Sequence, residues 1–539
     1  MKYPVYILLI FLFLTRDVKA ADWQWSVPVK GMVSSETKDH PNAFLWIPPN
    51  CKQIKGIVIG QHNMLEEGIF EHAAFRKTLT DIEFAEIWVT PHFSIVFDHQ
   101  GEAEKLLNEI LASLAEVSGY SELNFMPIVP VGHSAVASFP WNFGAALPQR
   151  TLAMISIHGD SPLTNMTGSG KPNPDWGNKN IDGIPGLIVI GEYEWLEGRI
   201  VPGMEFRKKY PNAPVALFAD AGRGHFDYSD EMVDFLCLFL KKAAKERLPQ
   251  KMSLNAFPQL NPVIPEKGWL VDRWRKDQPL RSSSAPFARY KGNKDEAFWA
   301  FDKEMVKATE ACYDRARGKA PQYIGYVQNG KLLVGAGPFT GYKPVFLPQA
   351  DGLTFNVSAA FVDTLQGKKL SSNHAKGKIN ISRICGPVQQ LNDTTFTVRF
   401  YRMGLNNSKR TGDIWLMASN VGDKKYKSVV QQANFKIPLR NTKGVEQKID
   451  FPAIEDQAAP VQTLKLNATA TSGLPVYFYV KEGPAEVSGS TVSFTKIPAR
   501  AKFPVKVTVV AWQWGSSIAP EVQSAEAVER SFYITSNKR

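Results

Sequence analysis

Between residues 54 and 246 the chain alternates short apolar runs with longer stretches of helical spacing. The runs are Ile57–Ile59, Ala85–Thr90, Pro127–Val131, Leu152–Ile157, Leu187–Ile190 and Val215–Ala219. Helices are predicted over Phe70–Thr80, Glu102–Val117, Ala135–Leu147 and Ser229–Lys245, the last with Ser229 as N-cap and Glu231 and Asp234 near its start. Strands alternating with helices imply a mostly parallel sheet covered on both faces. No other feature of the chain narrows the choice of fold as far.

The stretch Val129-Pro130-Val131-Gly132-His133-Ser134-Ala135-Val136-Ala137 lies inside this pattern. A strand ends, a small residue permits a sharp turn, a serine takes the apex and a helix begins. That geometry lifts the hydroxyl above the carboxyl ends of the strands. It also puts the Ala135 N–H at a helix N-terminus, where an oxyanion is stabilised. The following helix carries Pro140, expected to strain its first turns.

With these residues in view, 54–246 resembles an α/β-hydrolase, and Gly132-His133-Ser134 resembles its nucleophile elbow. The sequence departs from the pattern at Val136, where the family carries glycine; a small residue comes one place later, at Ala137. The resemblance implies a chain order of serine, acid, histidine. His225, just after the last strand, stands at the family's histidine position, whereas His62, His72, His92 and His99 precede the serine. His158 ends the strand after the elbow, too early for the base. The acid is expected after Leu187–Ile190, in Gly191-Glu192-Tyr193-Glu194-Trp195. The family spacing points to Glu194, with Glu192 and Asp160 as alternatives. The second oxyanion donor is expected from the loop after Ile57–Ile59, as the backbone N–H of Asn63 or Met64, beside that of Ala135. His62, Trp195 and Arg223 are candidate substrate contacts. Phe139, Trp141, Trp176 and Tyr193 join Trp195 as candidate rim aromatics, and Lys171, Lys179 and Arg199 join Arg223 as candidate carboxylate ligands. Ser161–Gly183 is a lid-like insertion.

At 539 residues the chain exceeds one core. The expected division is a signal over 1–20, a catalytic domain over 21–250, a linker and β-sandwich over 251–459, and an Ig-like module over 460–539. Gln250–Ser284 is Pro-rich and polar, one helix is expected around Ala297–Ala316, and strand alternation dominates from Gly335 on. Cys51, Cys237, Cys312 and Cys385 match no metal spacing; Cys312 and Cys385 are a candidate pair, and Cys237 reads as a buried thiol. The chemistry read here calls for neither metal nor cofactor.

Lys2, the apolar run Val5–Leu14, and Val18 and Ala20 before Ala21 form a cleavable export signal, implying a secreted or periplasmic protein with no membrane span after cleavage. The formal charge of +11 falls to +9 once Lys2, Arg16, Asp17 and Lys19 leave with the signal. Such a surface suits an anionic partner such as an acidic glycan. Nucleic acid is disfavoured, because no Arg/Lys cluster has interleaved aromatics. Three functions fit: an esterase removing ester substituents from a polysaccharide or oligosaccharide, another acyl hydrolase of peptidase or lipase type, or a non-catalytic glycan-binding or adhesion protein. Mass spectrometry of protein recovered from its native host should find Ala21 as the first residue; an intact Met1 on a cytoplasmic protein contradicts export.

Overall fold

The computed structural model describes residues 23–166, 172–335, 341–402, 407, 409–438 and 440–536. Residues 1–20, read above as an export signal, and Lys171 lie outside them. Eight strands form one sheet in the order β1-β2-β4-β3-β5-β6-β7-β8. They are β1 (Trp25–Pro28), β2 (Asn42–Trp46), β3 (Gly56–Gln61), β4 (Phe84–Thr90), β5 (Ile128–His133), β6 (Met154–Ile157), β7 (Gly186–Gly191) and β8 (Val215–Asp220). The pairings of β1 with β2 and of β2 with β4 are antiparallel, and those among β3 to β8 are parallel.

Successive side chains alternate between faces, so Val58 and Val129 enter one core while Ile57, Ile59 and Ile128 enter the other. Helices α1 (Leu65–Phe70), α2 (Ala73–Ile82) and α6 (Asp230–Arg247) cover the first face. Helices α3 (Glu102–Ser118), α4 (Phe139–Ala146) and α5 (Glu197–Lys209) cover the second. Strand order, directions and the serine turn after β5 are those of the α/β-hydrolase fold.

Three local departures from the sequence pattern have physical causes. The helix expected over Phe70–Thr80 is two helices broken at Glu71–His72, where the His72 ring accepts the Ala74 N–H at 3.3 Å and caps α2. The stretch after the elbow starts as a 3-10 turn, Ser134–Val136, and α4 begins only at Phe139. Pro140 therefore falls in the first turn, where its missing N–H costs nothing. Helix α5 contains Pro202 and has no apolar stripe that sequence periodicity could register.

The α/β core does not end at 250. Strands Trp269–Asp272, Ala285–Pro286 and Ala297–Ala300 form a small sheet, followed by helix α7 (Lys303–Ala316). The helix expected from Ala297 thus opens with a strand. Val271, Trp274, Ala300, Met305, Val306, Cys312 and Tyr313 share one core with α6 and with Ala216, Phe218 and Ala219 of β8. The second boundary also moves: Gln457–Ala458 pairs with Val528–Thr535, and Phe451 packs into the last module, so that module begins before 460.

The intervening β-rich unit surrounds Phe355, Phe396, Ile414, Leu416 and Phe435. It docks on the carboxyl ends of the parallel strands: Lys427 pairs with Glu192 at 2.7 Å, Arg402 with Glu67 at 2.8 Å, and Arg410 Nη1 donates to the Asn63 carbonyl at 2.8 Å. The last module packs against α3, and its Arg500 pairs with Glu122 at 2.8 Å. All four cysteines are free and buried, so Cys312 and Cys385 do not pair. Among the described residues no helix is long and apolar enough to cross a membrane.

Met305 is 1% exposed in the shared core. Met305→Ala should therefore destabilise the α/β unit by about 2–5 kcal/mol in urea unfolding followed by tryptophan fluorescence. A change within about 0.5 kcal/mol, the range of an ordinary surface substitution, would place α7 outside that core.

Candidate active site

Ser134 sits at the end of β5 with φ +50°, in the left-handed region that a residue with a Cβ adopts at a cost of about 1–3 kcal/mol. The turn is tight enough to require Gly132, since a Cβ there would meet the Val136 carbonyl oxygen at 2.1 Å. Val136 occupies the place where the family pattern has a second glycine, and it is buried. The close approach falls one residue later, between Ala137 and Gly159, where a Cβ on Gly159 would lie 1.8 Å from that of Ala137. The glycine that lets the elbow pack thus comes from the end of β6.

His225 lies in the loop between β8 and α6, and its Nε2 is 2.7 Å from Ser134 Oγ. Its Nδ1 is hydrogen-bonded to Glu194 Oε2. Glu194 closes a short turn after β7, where the Gly191 N–H donates to its Oε1 at 3.0 Å. Gly191 has to be glycine, because a Cβ would meet the Gly224 carbonyl oxygen at 2.6 Å as the two loops cross. Glu194 is fully buried, which favours its neutral form, but His158 and His225 beside it hold the carboxyl well below the ordinary range. Arg199 Nη1 adds a contact at 3.0 Å to Oε2. The order Ser134, Glu194, His225 is therefore a connected relay: a hydroxyl on an imidazole, and the imidazole on a charged, buried carboxylate.

A second histidine supports His225 from behind. His133 Nε2 donates to the His225 carbonyl at 3.0 Å, and its Nδ1 accepts from Asn63 Nδ2 at 3.0 Å. Those partners fix one neutral tautomer, and burial pushes its ring well below the ordinary histidine value. Asp227 accepts the Gly224 N–H at 3.1 Å and Gln432 Nε2 at 2.5 Å, tying the His225 loop to the β-rich unit.

Several sequence expectations are corrected. Glu192 does not reach His225: its carboxylate takes the Gly222 N–H at 2.8 Å and Lys427 at 2.7 Å. Asp160 follows β6 instead, and its carboxylate accepts the Met166 N–H at 2.9 Å. The N–H groups of Asn63 and Met64 do not point to an oxyanion; both donate to Glu66 Oε2, at 3.2 and 3.0 Å. Glu66 is the second residue of α1, so its carboxylate folds back over the N–H groups at that helix's own start. Its other oxygen accepts the His133 N–H at 2.9 Å, and burial pushes the carboxyl up to about 7. The Ala135 N–H, in the turn just after Ser134, makes no backbone hydrogen bond among the described residues.

The expected substrate contacts are also engaged elsewhere. His62 is buried with Nδ1 on Thr90 at 3.0 Å. Trp195 packs on Trp274, with ring centroids 4.6 Å apart, and donates to Glu197 at 3.0 Å. Arg223 lies against Met417 of the β-rich unit at 3.8 Å. Arg199 is taken by Glu194, and Phe139, Trp141 and Trp176 are core residues. Tyr193 donates its hydroxyl to the Ser428 carbonyl at 2.5 Å.

No family model and no curated protein matches the chain. Among solved structures it is similar to Est1E from Butyrivibrio proteoclasticus, 19% identical over 38% of this chain and 95% of that one, with a TM-score of 0.25. It is also similar to FphF, a fluorophosphonate-binding serine hydrolase of Staphylococcus aureus (11% identical, 41% and 96% covered, TM-score 0.28). A third is LpqC, a poly(3-hydroxybutyrate) depolymerase from Bordetella parapertussis (13% identical, 43% and 93% covered, TM-score 0.29). These likenesses are weak, and the fold assignment stands on strand order and on the geometry of the elbow.

Glu194→Gln is nearly isosteric and removes the charge facing His225. It should lower kcat for a small aryl ester by about 10²–10⁴-fold with little change in KM, while Glu192→Gln stays within about tenfold of wild type. The reverse ranking in steady-state kinetics contradicts the assignment of the acid.

Proposed function

We propose that the protein is a serine hydrolase acting on carboxylic esters through an acyl-enzyme. The observation that carries this reading is the 2.7 Å contact between Ser134 Oγ, on a strained turn, and an imidazole whose other nitrogen rests on a buried carboxylate. Ser134 Oγ attacks the ester carbonyl carbon as His225 Nε2 takes its proton. Charge gathers on the carbonyl oxygen, toward the Ala135 N–H. The C–O bond to the alcohol breaks, and His225 returns the proton to the departing oxygen. Water then attacks the acyl group by the same route, releasing the acid and restoring the Ser134 hydroxyl. Glu194 holds the imidazole in the productive tautomer and stabilises its charged form.

For the substrate we propose an ester substituent, such as acetyl or methyl, on a polysaccharide or oligosaccharide outside the cytoplasm. The export signal, the excess positive charge and the β-rich modules beside the site support this reading. An acidic glycan suits the charge.

A fluorophosphonate probe should label wild type at Ser134 and leave Ser134→Ala unlabelled, and His225→Ala should lose about 10⁴-fold or more in kcat. Absence of labelling, or labelling at another residue, overturns the enzyme reading. A screen against acetylated and methyl-esterified glycans, aryl esters and peptides tests the substrate class: preference for peptides contradicts it.

A further inference from the structure

The two oxygens of Glu194 are each held by a different histidine. Oε2 faces His225, and Oε1 is hydrogen-bonded to Nδ1 of His158, which directly follows β6 and is completely buried. The other nitrogen of His158, Nε2, lies 3.0 Å from the Asp227 carbonyl oxygen. A carbonyl oxygen only accepts, so Nε2 carries a proton. An ionised carboxylate also only accepts, so Nδ1 carries one too. The Gly191 N–H is directed at both Glu194 Oε1, at 3.0 Å, and His158 Nδ1, at 3.2 Å, and the shorter contact is to the carboxylate. With acceptors at both ends, both ring nitrogens are placed to carry protons, the arrangement of an imidazolium.

We propose that His158 is a positioning residue: a permanent buried cation that fixes the charged form of Glu194 and sets the acidic limb of activity. This rests on the reading of Ser134, Glu194 and His225 as the catalytic relay. Every packed element around His158 contributes to the balance. Glu194 follows β7, Asp220 ends β8, Asp227 lies in the His225 loop, and Arg199 of α5 donates to the His158 carbonyl at 3.3 Å. His133, neutral at the end of β5, and His225 have ring centroids 5.9 and 6.2 Å away. Burial opposes the charge on His158, but Glu194 against it, with Asp227 and Asp220 beyond, holds its imidazole above the ordinary histidine value.

The consequence for activity has a definite sign. The His158 and His225 ring centroids are 6.2 Å apart, close enough for a charge on one to act on the relay by Coulomb repulsion. Removing that charge should move the acidic limb of kcat/KM to higher pH. His158→Asn keeps a donor directed at Glu194 but cannot be charged. At an effective dielectric near 20, the lost repulsion corresponds to a shift of about one to two pH units. A purely architectural histidine would lower kcat at every pH and leave the limb where it was.

The test has two arms on the full chain. In the first, kcat/KM of wild type and His158→Asn for an aryl ester is measured from pH 4 to 9. A rise in the acidic limb by about one unit or more supports the proposal, and an unmoved limb overturns it. In the second, protein labelled with ¹⁵N-histidine is examined by NMR from pH 5.5 to 8.5, which requires neither activity nor a folded variant. Both His158 ring nitrogens should be protonated throughout. A single protonated nitrogen, or a ring that titrates in this range, overturns the proposal. If wild type itself neither hydrolyses esters nor takes the fluorophosphonate probe, the catalytic reading fails instead, whatever the charge on His158.

Discussion

The architecture of the site depends on one buried carboxylate. Glu194 is shut away from water, and an ion there is stable only if its lone pairs are filled by charged or polar donors. They are filled by His225, His158, Arg199 and the Gly191 N–H, which arrive from the β8–α6 loop, β6, α5 and β7. Satisfying that charge fixes the relative positions of these four segments. The imidazole facing Ser134 is one outcome of that constraint. Removing any of the donors leaves a buried charge partly uncompensated, so packing and chemistry are coupled at this point.

The same logic extends to the modules that follow. Glu192 projects away from the site and is neutralised by Lys427, while Glu67, at the start of α1, meets Arg402. Asp227 meets Gln432, and the Asn63 carbonyl meets Arg410. The loops that build the site are therefore braced on one side by the α/β core and on the other by the β-rich unit. This explains how the loops around the site can carry several buried acids: each is answered by a cationic or amide group.

The sheet and the elbow were legible in the sequence because they are set by local rules. Apolar runs of strand length fixed the six central strands, and Gly132 before Ser134 marked the turn. What required the fold was the direction taken by side chains close together in sequence. Glu192 and Glu194 are two residues apart and have similar local context, yet one meets Lys427 and the other His225. The loop carrying Asn63 and Met64 was identifiable by position, but not the capture of both N–H groups by Glu66, since that depends on where α1 begins. His158 was set aside as a base because it ends the strand after the elbow, too early in the chain; its link to Glu194 arises only because the ends of β6 and β7 are adjacent. The boundary at 250 failed because a polar, Pro-rich stretch leads back to a helix, α7, that completes the first core.

The central claim is that these groups act together to transfer an acyl group to Ser134. Rapid mixing of the full-length protein with p-nitrophenyl acetate, followed by acid quench and peptide mass spectrometry, tests it directly. The account predicts a burst of about one nitrophenolate per chain and one acetyl group on the peptide carrying Ser134, with both abolished in Ser134→Ala. A burst that survives in Ser134→Ala, or an acetyl group found on another residue, would contradict it.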